Sequence, residues 1–498
     1  MGLLDSLALG FAVAVSLQNL AYCLAGVVVG TLIGVLPGIG PLATISMLLP
    51  LTFGVSPVSA LIMLAGIYYG AQYGSSTTAI LVNLPGETSS VVTCIDGYQM
   101  ARQGRAGPAL AIAAIGSFVA GTFGTLLVAL FGPPLAQLAL AFGSPEYFSL
   151  MLMGLVAAAV LSQGDVAKSL AMVVLGLLLG IVGNDLSSGL PRFTFGIREL
   201  TDGIGFVVVA VGVFALGEIL ANLAAPEQQR VLARVSGSIF PSRRDLRDAL
   251  APILRGSGIG AFFGVLPGTG PAIASFASYM LEKRLARDPS RFGHGAIEGV
   301  AAPEAANNAD AQCKFIPMLT LGLPASGVMA LMLGALTMQG IQPGPEVMSQ
   351  RPELFWGLVA SMWIGNLMLV VLNLPLVGVW AWLLRVPYRL LFPAIMVFSG
   401  IGVYSLSNSA FDVYLAAGFG LVGFALMKLG FPMPPMLLGF VLGPMMEDNL
   451  RRSLLMGRGD PSLLVKRPIS LAFLVASVLI LLLALVPAIN RRRARLSG

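Results

Sequence analysis

Charge is what this chain has least of: only 10% of its 498 residues are Asp, Glu, Lys or Arg, and neither these nor His occur between Ser6 and Gly86. Further uncharged stretches cover 106–145, 256–281, 315–345, 354–384 and 468–490. So little polar surface cannot solvate a globule of this size, which argues against a soluble enzyme or a nucleic-acid binder. Histidine is nearly missing as well, since the one His, His294, lies in a basic stretch and reads as a solvated loop residue. That leaves no Ser-His-Asp or metal constellation at membrane depth and argues against an embedded hydrolase or acyltransferase. No Gly-x-x-x-x-Gly-Lys-Ser/Thr string occurs, so the chain carries no phosphate loop for ATP, and no cofactor is implied. The three cysteines, Cys23, Cys94 and Cys313, stand at no metal-ligand or disulfide spacing and read as small packing residues.

What the chain has instead is apolar length. Mean hydropathy is +0.88, and a bilayer core of about 30 Å needs about 20 apolar residues as helix. Dividing the runs by that span predicts an all-α polytopic membrane protein with about a dozen membrane segments, some incomplete. The runs are continuous rather than alternating with period two, which argues against a β-barrel. The start, Met1 to Ser6, has no basic n-region and reads as an interfacial or first membrane helix. The net charge of +6 comes from short basic clusters: Arg230 to Arg255, Lys283 to Arg291, Arg451 to Arg467 and Arg491 to Arg495. The positive-inside rule places all four in the cytoplasm, the C-terminus included.

The string Gly-Val-Leu-Pro-Gly-x-Gly-Pro occurs at 34–41 and again at 264–271, 230 residues later. It divides the chain into two related halves, 1–225 and 251–465. A basic cytoplasmic linker, 226–250, joins them, and a C-terminal membrane helix with a basic tail, 466–498, follows. The prolines break any helix there. Arg255 before the second uncharged stretch and Lys283 and Arg284 after it put both its ends on one side. The expectation is a re-entrant hairpin with arms of about eleven residues, about 16 Å, and a tip near the midplane. Its tip glycines, Gly268 and Gly270, are expected to need positive φ. The linker after the first motif, around Ser56-Pro57, is uncharged, whereas its counterpart carries Lys283, Arg284, Arg287 and Arg291. The sign reverses again between Gln103-Gly104-Arg105 and Gln339-Gly340-Ile341. Two such swaps predict inverted-topology repeats, the architecture of several alternating-access transporters, whose Gly/Pro-broken helices form the binding site.

Candidate substrate residues are therefore Pro37, Gly38, Gly40, Pro267, Gly268 and Gly270 at the tips. The helix starts after Gly40 and Gly270 offer unpaired N–H groups and a positive dipole end to a carboxylate. Downstream of each tip lies a small, polar, Pro-broken segment, which adds Ser75, Ser76, Thr77, Thr78, Asn83, Asn307 and Asn308 as neutral donors. Such residues also let helices approach closely. A cation site is expected from Asn83, Glu304 and Asp310, with carbonyls freed by Pro37, Pro85, Pro267 and Pro324. Lys314, near the second segment, is the one base close to either motif. Asp165 and Lys168 read as a solvated turn, and Glu447 to Arg452 as an interfacial ion-pair cluster.

These residues resemble the large membrane subunit of the tripartite tricarboxylate transporters. The resemblance runs from the first Gly-Val-Leu-Pro-Gly-Ile-Gly-Pro through Tyr68-Tyr69-Gly70-Ala71-Gln72-Tyr73-Gly74-Ser75-Ser76-Thr77 and Asn83-Leu84-Pro85-Gly86 to the second Pro-Gly-Thr-Gly-Pro and Pro303-Glu304-Ala305-Ala306-Asn307-Asn308-Ala309. It implies a bacterial inner-membrane permease that works with a small membrane subunit and a periplasmic solute-binding protein. Citrate and related organic anions would be its cargo, with a cation gradient as the driving force. A channel, or a carboxylate carrier without a binding protein, is the alternative. Moving a di- or trianion against a negative-inside potential costs about 2.3 kcal/mol per charge per 100 mV, so a co-transported cation is required. Glu304 and Asp310 read as solvated beside the polar linker while neutral oxygens abound, which favours Na⁺ over H⁺.

Overall fold

The computed structural model describes residues 2–36, 40–162, 164–185, 188–224, 239–384 and 388–496. It is helical apart from a two-residue hairpin, β1 (Gly183–Asn184) with β2 (Pro191–Arg192). The first half comprises α1 (Leu3–Ala14), α2 (Leu17–Val35), α3 (Pro41–Leu48), α4 (Pro57–Val82), α5 (Val91–Arg102), α6 (Ala106–Ala139), α7 (Ser144–Leu161) and α8 (Val166–Gly180). It closes with α9 (Phe206–Ala210), which continues through one π-helical segment into α10 (Gly217–Leu223). The second half comprises α11 (Arg243–Val265), α12 (Pro271–Leu285), α13 (Glu298–Cys313), α14 (Phe315–Leu321), α15 (Gly327–Met338), α16 (Glu346–Gln350) and α17 (Pro352–Asn373). It continues with α18 (Val377–Leu383), α19 (Tyr388–Ser407), α20 (Ala410–Lys428) and α21 (Pro434–Met456), and α22 (Leu463–Lys466) and α23 (Pro468–Leu496) end the chain. Among the described residues six helices are long and apolar enough to cross a membrane, and six further apolar stretches of 10–17 residues are not. α1, with twelve residues, is one of the short ones and packs against α17, where Phe11 stacks on Trp363.

Local chemistry sets the helix starts. Ser16 and Ser56 accept hydrogen bonds from Asn19 N and Ser59 N as N-caps of α2 and α4. α3 and α12 each begin on a proline after an extended glycine. α11 begins at Ser242-Arg243, inside the stretch read as linker, with Asp245 completing a capping box. α4 and α14 end on left-handed residues, Asn83 with φ 56° and Gly322 with φ 68°, and Leu-Pro follows each.

The halves share an internal skeleton. Gly26, Gly30 and Gly34 of α2 press on the carbonyls of Met63, Ile67 and Ala71, where a Cβ would come within 2.4 Å. Gly256, Gly260 and Gly264 of α11 press on those of Ala302, Ala306 and Asp310 within 2.7 Å. Such stripes let backbones touch where no hydrophobic force acts between helices. Partner numbers rise with the glycine numbers, so α2 runs parallel to α4 and α11 to α13. The short α3 and α12 are therefore return arms. Their partners are unequal in length: α2 has 19 residues and α11 has 23, so neither tip joins two eleven-residue arms. α4 and α13 are buried almost end to end, whereas α20 buries little beyond Ala416, Gly420 and Gly423.

Two polar contacts define the ends of the bundle. Gln103 donates to the His294 carbonyl at 2.9 Å, with Arg105 paired to Asp245 at 2.6 Å nearby. At the other end Gln339 donates to the Thr52 carbonyl, also at 2.9 Å. Each Gln-Gly turn thus caps the linker that follows the other half's return arm. The second end also holds Asp448, Asn449 and Arg452, which share a pocket with 340–346, and the pairs of Arg451 with Asp185 and Arg192 with Glu447. Arg452 lies with Ala139 and Leu140 at the C-terminal end of α6, whereas Arg105 precedes its N-terminus, so the basic clusters are not gathered at one end of the bundle as their charge alone had suggested. Asp165 is exposed, as expected, and caps α8, while Lys168 donates to the Leu429 carbonyl at 2.5 Å.

Candidate substrate cavity

A cavity of about 580 Å³ opens where helix starts from both halves converge. Its wall contains Gly40-Pro41 of α3, Gly270-Pro271 of α12, Ser326-Gly327 of α15, Pro434 of α21 and the turn Glu87-Thr88 that leads into α5. Tyr68 and Gln72 of α4 complete the floor, with Glu218 of α10 and Ala158 of α7 beside them. A helix start carries the positive end of the dipole and N–H groups without intrahelical partners, although at α15 Ser326 caps Met329 N and α21 opens on two prolines that have none.

The second tip is rigidly held. Gly268 has φ +79°, its N–H donates to the Ala325 carbonyl at 3.0 Å, and a Cβ there would lie 2.3 Å from Ala158 Cα. The Thr269 hydroxyl faces the last carbonyls of α11, Phe263 at 2.5 Å and Leu266 at 2.8 Å. Gly270 differs from the expectation: its φ is −87° and nothing lies within 4 Å of a Cβ, so it has neither positive φ nor a steric demand.

Polar groups are unevenly spread around the cavity. Glu218 is hydrogen-bonded to the Gly40 backbone, so the start of α3 already carries a carboxylate. Glu87 heads the turn before α5, with its Oε2 at 3.2 Å from Ser89 Oγ, which lies equally far from Gln72 Oε1. The amide nitrogen of Gln72 is buried and turned toward Glu87, without a hydrogen bond of 3.5 Å or less. The starts of α12 and α15 carry no acid, and no Lys, Arg or His is among the described lining residues. The arrangement offers neutral donors and dipoles to an anion, chiefly on the second half's side.

Of the residues picked from sequence, Gly40, Pro85, Gly268 and Gly270 line the cavity. Pro37 and Gly38 lie outside the described residues. Pro267 and Pro324 sit in the adjoining turns without lining it. Ser75, Ser76, Thr77 and Thr78 are buried behind the wall, where Ser75 bonds the Gln72 carbonyl and Thr78 the Val35 carbonyl. Asn83 is an exposed left-handed helix end. Asn308 donates to Ser117, and Asn307 is buried without a partner, both away from the cavity. Glu304 and Asp310 are not solvated: Glu304 is 1% exposed, and Asp310 is paired with Lys314 with both side chains at 0%. Sequence reading passed over Tyr68, Gln72, Glu87, Glu218, Thr269 and Ser326. Glu87 and Glu218 had a signal, as acids that end or interrupt long apolar runs.

A model of the tripartite tricarboxylate transporter TctA family matches residues 20–438. The chain belongs to that family. It is also 56% identical over 493 residues, 99% of itself and 98% of the relative, to an uncharacterized 52.8 kDa protein in the TAR-I ttuC' 3' region of Agrobacterium vitis. It is 55% identical over 234 residues, 47% of itself and 97% of the relative, to an uncharacterized protein in the TAR-II ttuC' 3' region of the same organism. No solved structure matches it. Membership makes this protein a multi-pass membrane component of a transporter and not an enzyme.

Proposed function

We propose that this chain is the permease subunit of a binding-protein-dependent secondary transporter, importing tricarboxylates or related organic carboxylates by cation symport with alternating access. The observation that carries the reading is a cavity at which helix starts of both halves meet, with the buried Gln72 amide in its wall. Carboxylate oxygens are acceptors only and match such donors. The anion would seat against α12 and α15, with Ser326 and Gln72 as donors, because Glu218 and Glu87 already occupy the first half's starts and the Thr269 hydroxyl is spent on α11 carbonyls.

The halves act in this reading as inverted repeats, whose return arms and Pro-broken segments rock around the cavity. Parallel pairing of α2 with α4 and α11 with α13, and the crossed contacts of Gln103 and Gln339, support it. The end with Arg105 and Arg291 would face the cytoplasm of a bacterial inner membrane. α23 starts at the other end, where Ser470 meets Ser149, and its 29 residues return the C-terminus. A small membrane subunit and a periplasmic binding protein are the expected partners. The test is uptake of radiolabelled citrate and shorter dicarboxylates into vesicles, with and without those two subunits. High-affinity uptake only with all three, together with counterflow, supports the reading; full uptake by this chain alone, or flux without counterflow, overturns it.

A further inference from the structure

Buried carboxylates in this protein fall into two kinds. Asp96 accepts from the N–H groups of Gly293, Gly295 and Ala296 and from the Tyr279 hydroxyl. Glu282 is held by Arg255 through two bonds of 2.6 and 2.7 Å, and Asp310 by Lys314. Backbone N–H groups and cations only donate, so these partners suit the charged form alone. Glu304 is different. Its Oε2 lies 2.5 Å from Ser76 Oγ of α4 and its Oε1 is bonded to Thr93 Oγ1 of α5, with no cation among its described partners.

A hydroxyl has one proton and can turn. Ser76 Oγ also lies 3.3 Å from the Gln72 carbonyl. With Glu304 charged, Ser76 donates to it. With Glu304 protonated, the carboxyl donates to Ser76 Oγ and the Ser76 hydroxyl turns to the Gln72 carbonyl. Both states are fully hydrogen-bonded without movement of the backbone. The site joins the halves, since Glu304 belongs to the second and Ser76 and Thr93 to the first. It also abuts the cavity, because the Gln72 that Ser76 touches is the residue whose side chain meets Ser89 beside Glu87.

We infer that Glu304 is the proton-binding carboxyl of this transporter, clamped by Ser76 and Thr93 across the two halves, behind the cavity wall that Gln72 lines. The inference rests on the cation-symport reading and makes the coupling cation H⁺ rather than Na⁺. One proton adds to the Glu304 carboxylate from the outward-facing cavity and leaves to the cytoplasm, and no other bond changes. The titratable groups around it are few. α4 presents Tyr73, α5 presents Cys94 and, one turn beyond Thr93, Asp96 with its partner Tyr279 of α12, and Glu87 stands at the cavity wall. α11 and α12 bring Arg255 and Glu282, paired with each other, Asp310 and Lys314 of α13 and α14's start are paired likewise, and α6 brings none. A substrate anion in the cavity adds negative charge near this site, so anion and proton each strengthen the other's binding, as symport requires.

The experiment is an infrared pH titration of the purified full chain in Na⁺-free buffer, following the C=O stretch of protonated carboxyls. One titrating component should vanish in Glu304→Gln and persist in Glu218→Gln. Should Glu304→Gln fail to fold, Ser76→Ala and Thr93→Val keep the carboxyl and remove one hydroxyl partner each. Each should displace the midpoint by about one pH unit. Identical spectra in wild type and Glu304→Gln, or unmoved midpoints in both hydroxyl variants, overturn the assignment. In vesicles carrying the complete transporter, a pH gradient should drive citrate accumulation without Na⁺, and Glu304→Gln should lose accumulation yet keep citrate counterflow. Accumulation driven only by a Na⁺ gradient overturns proton coupling. Failure of wild type to take up any carboxylate overturns the functional reading instead, and the infrared result separates the two.

Discussion

The two halves approach the cavity with the same backbone and different side chains. α3 and α12 both start on Gly-Pro, but Glu218 lies on the first start and nothing acidic on the second. Two residues beyond each Leu-Pro turn stand Glu87 in the first half and Ser326 in the second. The glycine stripes of α2 and α11 are alike because a Cβ at either would strike a backbone, and that demand admits no alternative. The cavity-facing positions carry no such demand and have diverged. The glycine stripes supply a matched frame in the two halves, and side-chain divergence makes the cavity wall one-sided, with acids at the first half's helix starts and none at those of α12 and α15.

The sharpest way to break that comparison is at the tip glycines. Gly268→Val should abolish uptake while membrane insertion survives, because it strains a left-handed residue and drives Cβ into the Ala158 backbone. Gly270→Ala should transport within about twofold of wild type, since nothing opposes its methyl group. Equal loss in both would show that the tip is constrained by something other than sterics. Next comes the donor asymmetry. Gln72→Leu removes the buried amide and should raise the half-saturating substrate concentration about tenfold, in line with ~1.5 kcal/mol for a hydrogen bond to a charged group. Glu218→Gln, measured in the same uptake assay, should weaken binding less than Gln72→Leu; the reverse order would move the anion to the first half.

Topology offers a third test. Single cysteines near Ser290 and near Pro345, in a background without the native three, should be labelled from opposite sides of the membrane. A cysteine at Arg452 should be labelled with Pro345, and labelling of Arg452 with Ser290 would overturn the assignment of ends. The smallest effect is expected at the pair that ties the halves, Arg105 with Asp245. Burial pushes the Asp245 carboxyl up, but bonds from Ser242 and Arg105 outweigh it and hold the group below the usual aspartate range. A carboxyl lowered in the folded state lends stability above its unfolded titration, and this is lost as pH falls through the lowered value. Arg105→Ala should therefore cost at most ~1 kcal/mol near neutral pH and nothing at strongly acid pH, read as thermal midpoints in detergent.

Much of this was legible in residues alone. Uninterrupted apolar runs dictate helices in lipid, since backbone groups there have no other partner. The duplicated Pro-Gly-x-Gly-Pro string marked the return arms because proline and glycine act on the chain locally, wherever it folds. Gly40, Pro85, Gly268 and Gly270 were picked for that local reason and do line the cavity. Neutral polar residues were harder to read. Ser76, Thr78 and Asn308 satisfy groups on neighbouring helices, while Gln72, one turn from Ser76, points at the cavity. A polar side chain in an apolar run declares that it needs a partner without naming which.

Sequence by itself determined the helical class, the membrane setting and the family, because each depends on patterns that act over a few neighbouring residues. Tertiary structure alone decided that Glu304 and Asp310 are sealed rather than solvated. It likewise decided that Glu218 covers the start of α3 and that Arg451 lies at the far end from Arg105. Those outcomes turn on which residues meet across hundreds of positions: Ser76 and Glu304 are 228 apart in the chain and 2.5 Å apart in space. Helix packing brings such groups together, and no local preference encodes the meeting.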